Sequence, residues 1–261
     1  MSFDATQFTV FGIPPYVFFA GIGTFVAFFV FNCILQFEKA DFKLGNKAVV
    51  CSIPLLMIGA KLFGIIANIA ENIKEKIPIA LETFIYSGIV FYGGLIFFAL
   101  SFLFFTRKCE TMEKAKIYDA LACAIPIFHT FGRVGCFTAG CCYGTPTDSI
   151  LGIEYTTWVN GVVTTETRMP VQLIEAFANL LVFALLIVIV LRKKNKGRIL
   201  IIYAGLYSTV RFLDEFFRFS NKPKLFELFS AAQIISLIIL IIVVIILLKE
   251  RKNKCLTKTS G

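Results

Sequence analysis

The sequence predicts an all-α polytopic membrane protein. It expects about seven transmembrane helices, the N-terminus outside, the C-terminus cytoplasmic, and a small extracytoplasmic β-hairpin region. Three observations carry that prediction. First, 57% of the 261 residues are hydrophobic, 16% are charged and the mean hydropathy is +0.80, against about 25% charged residues in soluble domains. A water-soluble fold of this composition would expose long apolar stretches, and a disordered chain would not be dominated by Phe, Leu and Ile. Second, uncharged runs of helix length recur, and the length suits about seven spans of roughly 20 residues with their loops. Third, 17 of the 26 Lys and Arg lie in the loops after the odd-numbered spans, 6 in the loops after the even-numbered ones and 3 inside spans. Basic residues concentrate in cytoplasmic loops, which sets the orientation. The net charge of +9 is thus a topology signal, and no nucleic-acid partner is expected.

The elements follow in chain order. Asp4 and Glu38 bracket 33 uncharged residues, the first span. The N-terminus lacks the basic start and small-residue cleavage site of a secretory signal, so this run is expected to stay in place. Span two covers about Ala48 to Ala70 and carries Lys61; span three covers about Thr83 to Phe105. Span four, about Ile117 to Gly135, carries Asp119 and Arg133; span five covers about Val171 to Leu191. Span six, about Ile199 to Phe216, carries Arg211, Asp214 and Glu215, and span seven is the uncharged run Ala231 to Leu248. Its β-branched residues do not argue for a strand, because a lone strand leaves its backbone unsatisfied in lipid. The whole chain, 1–261, is read as one integral-membrane domain. Within it, 137–170 forms an extracytoplasmic loop and 249–261 a basic, solvated cytoplasmic tail near anionic lipid. In that loop, IEYTTWVNGVVTTET alternates around Asn160-Gly161, a hairpin signal.

Ionisable residues inside spans are costly and point to function. Here they are Lys61, Asp119, Arg133, Glu175, Arg211, Asp214 and Glu215. Ion pairing between helices or snorkelling is the alternative, and for Asp119, at a helix end, it is the better one. Arg133 lies in HTFGRVGCFTAGCCYG, whose glycines open space around a permanently charged bidentate donor for phosphate or carboxylate. With RFLDEFFR (Arg211 to Arg218) it suggests two cations converging on an anionic lipid headgroup, although Glu215 and Arg218 can also pair locally. The one histidine, His129, stands four residues before Arg133 on the same helical face. It is an acid–base candidate or a packing residue. Of the eight cysteines, Cys136, Cys141 and Cys142 cluster without a standard zinc spacing. Packing, a redox or metal site, and lipid handling are all open for them. No phosphate loop, dinucleotide fingerprint, zinc-protease motif or serine elbow appears.

Taken together, these segments resemble the prolipoprotein diacylglyceryl transferase family. GAKLFGIIANI is similar to its Gly-Gly-Arg segment, with Lys61 at the Arg. FYGGLIFF, with Tyr92, Gly93 and Gly94, is similar to Phe-His-Gly-Gly-Leu-Ile-Gly. GRVGCFTAGCCYG, with Arg133, Cys136 and Gly140, resembles the signature Gly-Arg-x-Gly-Asn-Phe-x-Asn-Gly-Glu. MPVQLIEA resembles His-Pro-Ser-Gln-Leu-Tyr-Glu, retaining Pro170, Gln172 and Glu175. RFLDEFFR retains Arg211, Glu215 and Arg218, and SAAQIIS keeps Gln233.

The resemblance implies a seven-span enzyme of the bacterial cytoplasmic membrane. Such an enzyme moves a diacylglyceryl group from phosphatidylglycerol to the lipobox cysteine of prolipoprotein signal peptides, with no metal and no soluble cofactor. It implies that Arg133 and Arg211 hold the phosphate. His129 and Tyr92 are then the further catalytic candidates. Lys61, Gly93, Gly94, Cys136, Gly140, Gln172, Glu175, Glu215 and Arg218 are the substrate-binding ones. Tyr92 stands for the family's histidine, Cys136 and Ala139 for two asparagines, and Cys141 for the glutamate. A tyrosine is a poor base at neutral pH. These departures leave a divergent branch with another lipid or acceptor as the alternative, and a small anion transporter as one of a different class.

Overall fold

The computed structural model describes residues 2–4, 10–76, 78, 83–84, 88, 90–159, 162–192, 197–218 and 229–259. Among them run seven helices and three strands: α1 Pro15–Phe37, α2 Phe42–Glu75, α3 Phe91–Thr106, α4 Thr111–Thr138, α5 Val171–Leu191, α6 Ile199–Asp214 and α7 Ala231–Thr259, with β1 Ser2–Asp4, β2 Ile153–Val159 and β3 Val162–Arg168. The expected all-α membrane architecture with a small sheet is present. Five of the helices are long and apolar enough to cross a membrane. The other two, α3 and α6, have 16 residues each, about 24 Å at 1.5 Å per residue. The chain clusters into two compact units, residues 1–34 with 118–261, and residues 35–117.

In the unit 35–117, α2 starts where the Asp41 carboxylate accepts the Leu44 N–H at 2.9 Å, a side-chain N-cap. It ends on Lys76, whose left-handed backbone (φ 56°) returns its N–H to the last carbonyls. That cap explains why α2 outruns the span expected over 48–70. Its contact with α3 is built on glycine. A Cβ on Gly59 would stand 2.4 Å from Phe97, and one on Gly93 would stand 2.6 Å from the Gly59 carbonyl oxygen. Only small residues let two backbones approach this closely in lipid. α3 begins at Phe91, later than the Thr83 expected from hydropathy; just before it, the Val90 N–H donates to the Ala60 carbonyl of α2 at 3.0 Å.

In the other unit, α1 and α4 meet through the same device. A Cβ on Gly23 would stand 2.7 Å from Phe131, and one on Gly135 would stand 3.3 Å from Tyr16. The buried Asp119 of α4 accepts the N–H groups of Gly197 (2.6 Å) and Ile199 (3.0 Å) and so caps α6, whose own N-cap residue, Arg198, supplies no side-chain bond. Asp119 is thus a structural cap between helices, where the sequence offered ion pairing or snorkelling as its structural alternative.

α7 opens with a capping box: the Ser230 N–H donates to Gln233 Oε1 and the Gln233 N–H to Ser230 Oγ. It continues as helix to Thr259, through the segment expected to be a solvated tail. β2 and β3 pair antiparallel in a register that ends on Val159 opposite Val162, as a two-residue hairpin requires, and β1 adds in parallel. The turn residues Asn160 and Gly161 lie outside the described residues.

Candidate active site

Three helices of the unit 1–34 with 118–261 bring five of the span charges, Arg133, Glu175, Arg211, Asp214 and Glu215, to one place. Arg133 of α4 sets its Nε 2.9 Å from Glu175 Oε1 of α5, with the Glu175 side chain 2% exposed. Arg211 of α6 places Nη1 3.0 Å from Asp214 Oδ2, as a hydrogen bond, and Nη2 2.7 Å from Glu215 Oε2, as a close ion pair. Glu215 thus turns to Arg211, one helical turn back, rather than to Arg218, its local alternative in the sequence. Glu175 also acts electrostatically on Arg211 and Asp214. Two cations and three carboxylates therefore form a single cluster. Paired burial of this kind is the condition on which charge survives in a low dielectric.

His129 follows the face predicted from its spacing to Arg133. Its Nδ1 lies 3.3 Å from the Tyr203 hydroxyl, and its ring centroid is 4.9 Å from that of Tyr207. Tyr203, Tyr207 and Arg211 repeat every four residues, so one stripe of α6 meets one stripe of α4. Sequence reasoning passed over both tyrosines and named Asp214 only among the ionisable span residues, without a place among the catalytic or binding ones; the i, i+4, i+8 row ending on Arg211 was the signal for the tyrosines, and the i, i+3 spacing from Arg211 the signal for Asp214.

The loop after α4 is folded by its own backbone. Gly140 is left-handed (φ 61°), its N–H returns to Phe137 and the Cys141 N–H to Cys136. This is a Schellman turn, and it lays Cys141 back over Cys136. Cys142 is left-handed as well (φ 62°). The three Sγ atoms come within 4.8 Å of one another, although the linear spacing matches no standard metal motif. Hydrogen bonds from the Cys136 and Cys141 thiols hold the Cys142 thiol well below the ordinary thiol range, while donating to both neighbours pushes Cys141 up.

Gln172, 1% exposed at the start of α5, donates to the Cys141 carbonyl at 2.7 Å and takes the Tyr155 hydroxyl at 3.3 Å. Tyr155 is buried, which pushes its hydroxyl up to about 12. Gly144 closes the loop. Its N–H donates to the Met169 carbonyl, the next N–H to the Phe217 carbonyl, and it bridges Arg218. The signature loop, the Met169–Glu175 segment and the end of α6 therefore meet at one glycine.

Lys61, Tyr92, Gly93 and Gly94 belong to the unit 35–117. Lys61 lies on α2 among Met57, Ile58, Leu62 and Ile65, and Tyr92 is 40% exposed at the start of α3. Gly93 and Gly94 face α2, where a Cβ would stand within 3.0 Å of backbone oxygen.

Known proteins are similar to this chain in sequence. A family model described as prolipoprotein diacylglyceryl transferase matches residues 4–249. A Clostridium tetani protein named phosphatidylglycerol–prolipoprotein diacylglyceryl transferase is 28% identical over 237 residues, 88% of this chain and 91% of its own length. Proteins of the same name from Helicobacter pylori and Campylobacter jejuni are 34% and 32% identical. Those matches cover 64% and 58% of this chain, and 58% and 54% of the relatives' own lengths. The chain, with its arginines on α4 and α6 and its signature loop between them, belongs to the prolipoprotein diacylglyceryl transferase family.

Proposed function

We propose that the protein transfers the diacylglyceryl group of phosphatidylglycerol to the lipobox cysteine thiol of prolipoprotein signal peptides. The reaction takes place in the bacterial cytoplasmic membrane, with the N-terminus outside and the C-terminus cytoplasmic. The observation that carries this reading is the pair of span arginines held by carboxylates, Arg133 by the buried Glu175 and Arg211 by Asp214 and Glu215. In the reaction the thiolate forms a bond to the terminal glyceryl carbon, the carbon–oxygen bond to phosphate breaks, and glycerol phosphate leaves with one more negative charge. Fixed cations aimed at a developing anion lower such a barrier because they need no reorganisation at that moment. Glu175 occupies the Nε of Arg133, which leaves the distal edge of its fork for phosphate oxygens. Asp214 and Glu215 orient Arg211 in the same way. Gln172 fixes the signature loop beside them, and His129 is the acid–base group on the arginine face. The lipid enters sideways between helices.

The test is full-length protein with phosphatidylglycerol vesicles and a lipobox peptide, read by mass spectrometry for the thioether. Arg133→Ala and Arg211→Ala should each lower transfer by about 100- to 1000-fold. Absence of thioether, or an Arg133→Ala rate equal to wild type, refutes the reading. The cysteines at 136 and 141 favour one second reading, a branch with another acceptor. Turnover of labelled lipid without labelling of the peptide identifies that branch.

A further inference from the structure

We propose that Cys136, Cys141 and Cys142 bind a thiophilic d10 metal ion through three thiolates, and that its open fourth position takes the acceptor thiol. This deepens the proposed transferase function and rests on it. Three features of the structure carry the inference.

The first is geometry. The Sγ atoms already lie within 4.8 Å of one another; tetrahedral zinc at 2.3 Å from each sulfur needs about 3.8 Å between them. Side-chain rotations of under an ångström close that difference. The backbone is fixed for it by the Schellman turn at Gly140, by the left-handed Cys142 and by Gln172 on the Cys141 carbonyl.

The second is the ligand set. Three soft sulfurs select zinc or cuprous ions over magnesium or calcium. Among the described residues no fourth side-chain ligand joins the group. Three protein ligands with a vacant fourth position is the pattern of reactive zinc sites, whereas structural sites are closed by four.

The third is position. Cys136 follows Arg133 by three residues on α4, so their Cβ atoms are about 5–6 Å apart. Arg218 is bridged to Gly144, two residues after Cys142, so two cations flank the three thiolates. A thiol seated on the metal therefore lies next to the guanidinium that holds the phosphate.

The chemistry balances. A peptide thiol that coordinates the metal releases its proton to water, since a coordinated thiol is deprotonated outright. The sulfur then bonds to the glyceryl carbon. The electron pair of the breaking carbon–oxygen bond passes to the phosphate oxygen, and glycerol phosphate departs. The resulting thioether is a weaker ligand than a thiolate, so the product leaves the metal. Nothing is oxidised or reduced.

The experiment uses full-length protein purified reduced in detergent and stripped with a chelator. Zn2+ should bind at one equivalent and protect three of the eight cysteines from alkylation, mapped by peptide mass spectrometry to positions 136, 141 and 142. Cu+ in place of Zn2+ should protect the same three. Co2+ loading should give a thiolate charge-transfer band that changes when the lipobox peptide is added and does not change with its Cys→Ser version. Each of Cys136→Ser, Cys141→Ser and Cys142→Ser should lower Zn2+ retention about tenfold or more; Cys33→Ser, outside the cluster, should leave it unchanged.

Lack of protection in the wild type, a disulfide among the three in the reduced protein, or a cobalt band indifferent to the peptide thiol overturns the proposal. Thioether formation in the same samples separates the two readings. Full transfer by the stripped protein refutes the metal and leaves the transferase standing. A peptide-responsive cobalt band without any transfer refutes the transferase and leaves the metal site standing.

Discussion

Removing the charge of Glu175 while keeping its shape tests whether the arginine cluster holds this unit together. In Glu175→Gln the amide keeps the volume, but Arg133 loses its partner at 2.9 Å and Arg211 loses the more distant share of the same charge. Breaking a buried pair from one side costs about 3–5 kcal/mol. Two features reduce that figure here. The Arg133 side chain is 20% exposed, and Arg211 keeps Asp214 and Glu215. The expected loss is therefore about 2–4 kcal/mol, or an open population raised about 30- to 1000-fold.

Cys123 reports it directly. This thiol is 0% exposed on α4, three residues beyond Ala120 of the same buried face, so it reacts only when the packing opens. The alkylation rate of the Cys123 peptide, followed by mass spectrometry in detergent at fixed pH, should rise by that factor in Glu175→Gln. Glu175→Asp, which keeps the charge on a shorter arm, should fall between the two. A Glu175→Gln rate within twofold of wild type would show that the buried pair carries no stability.

Three further outcomes follow from the same geometry. In Gly144→Ala the new methyl would stand 2.5 Å from Val171 Cγ2, 2.6 Å from the Phe217 oxygen and 2.8 Å from the Met169 oxygen. Two of those neighbours are backbone, so the strain should cost about 1–3 kcal/mol and lower both the thermal midpoint and transfer. Asp119→Ala strips acceptors from two N–H groups at the start of α6 and should lower the midpoint by about 5–10 °C, with Asp119→Asn losing about half as much. Tyr155, neutral in its buried site, is raised to about 12 from about 10 when unfolded. Its contribution is thus intact below pH 10 and lost as pH rises to 12; the midpoint measured across that window should fall in wild type and fall less in Tyr155→Phe.

Much of the fold could be read directly because lipid imposes a simple rule on composition. α5 matches the expected span at both ends, and α6 starts at the predicted Ile199. The rule failed where helix stability has another source. α4 begins six residues before its apolar stretch because TMEKAK is helix-forming sequence that needs no lipid, and α2 gains its first turn from the Asp41 cap.

At the site, the shared face of His129 and Arg133 was legible from spacing alone. The partners were not. That Glu175 would find Arg133, and that Glu215 would turn to Arg211, depends on helix rotations that a one-dimensional pattern does not contain. The convergence of the thiols was hidden for a related reason: it follows from two left-handed residues, and only one of them is a glycine.

The bond from Asp119 to the start of α6 also bears on how the chain enters the membrane. α6 is 16 residues long, carries Arg211 and Asp214 in its last turn, and leaves its first N–H groups to a carboxylate synthesised about 80 residues earlier. Charged residues raise the cost of releasing a helix from the insertion machinery into lipid. This segment therefore has a poor case for partitioning alone, and a ready one once α4 and α5 are in place to offer Asp119 at one end and Glu175 at the other. The same charges that assemble the site late in synthesis would hold α6 in the insertion channel until its neighbours have arrived, so that insertion and site assembly become a single step.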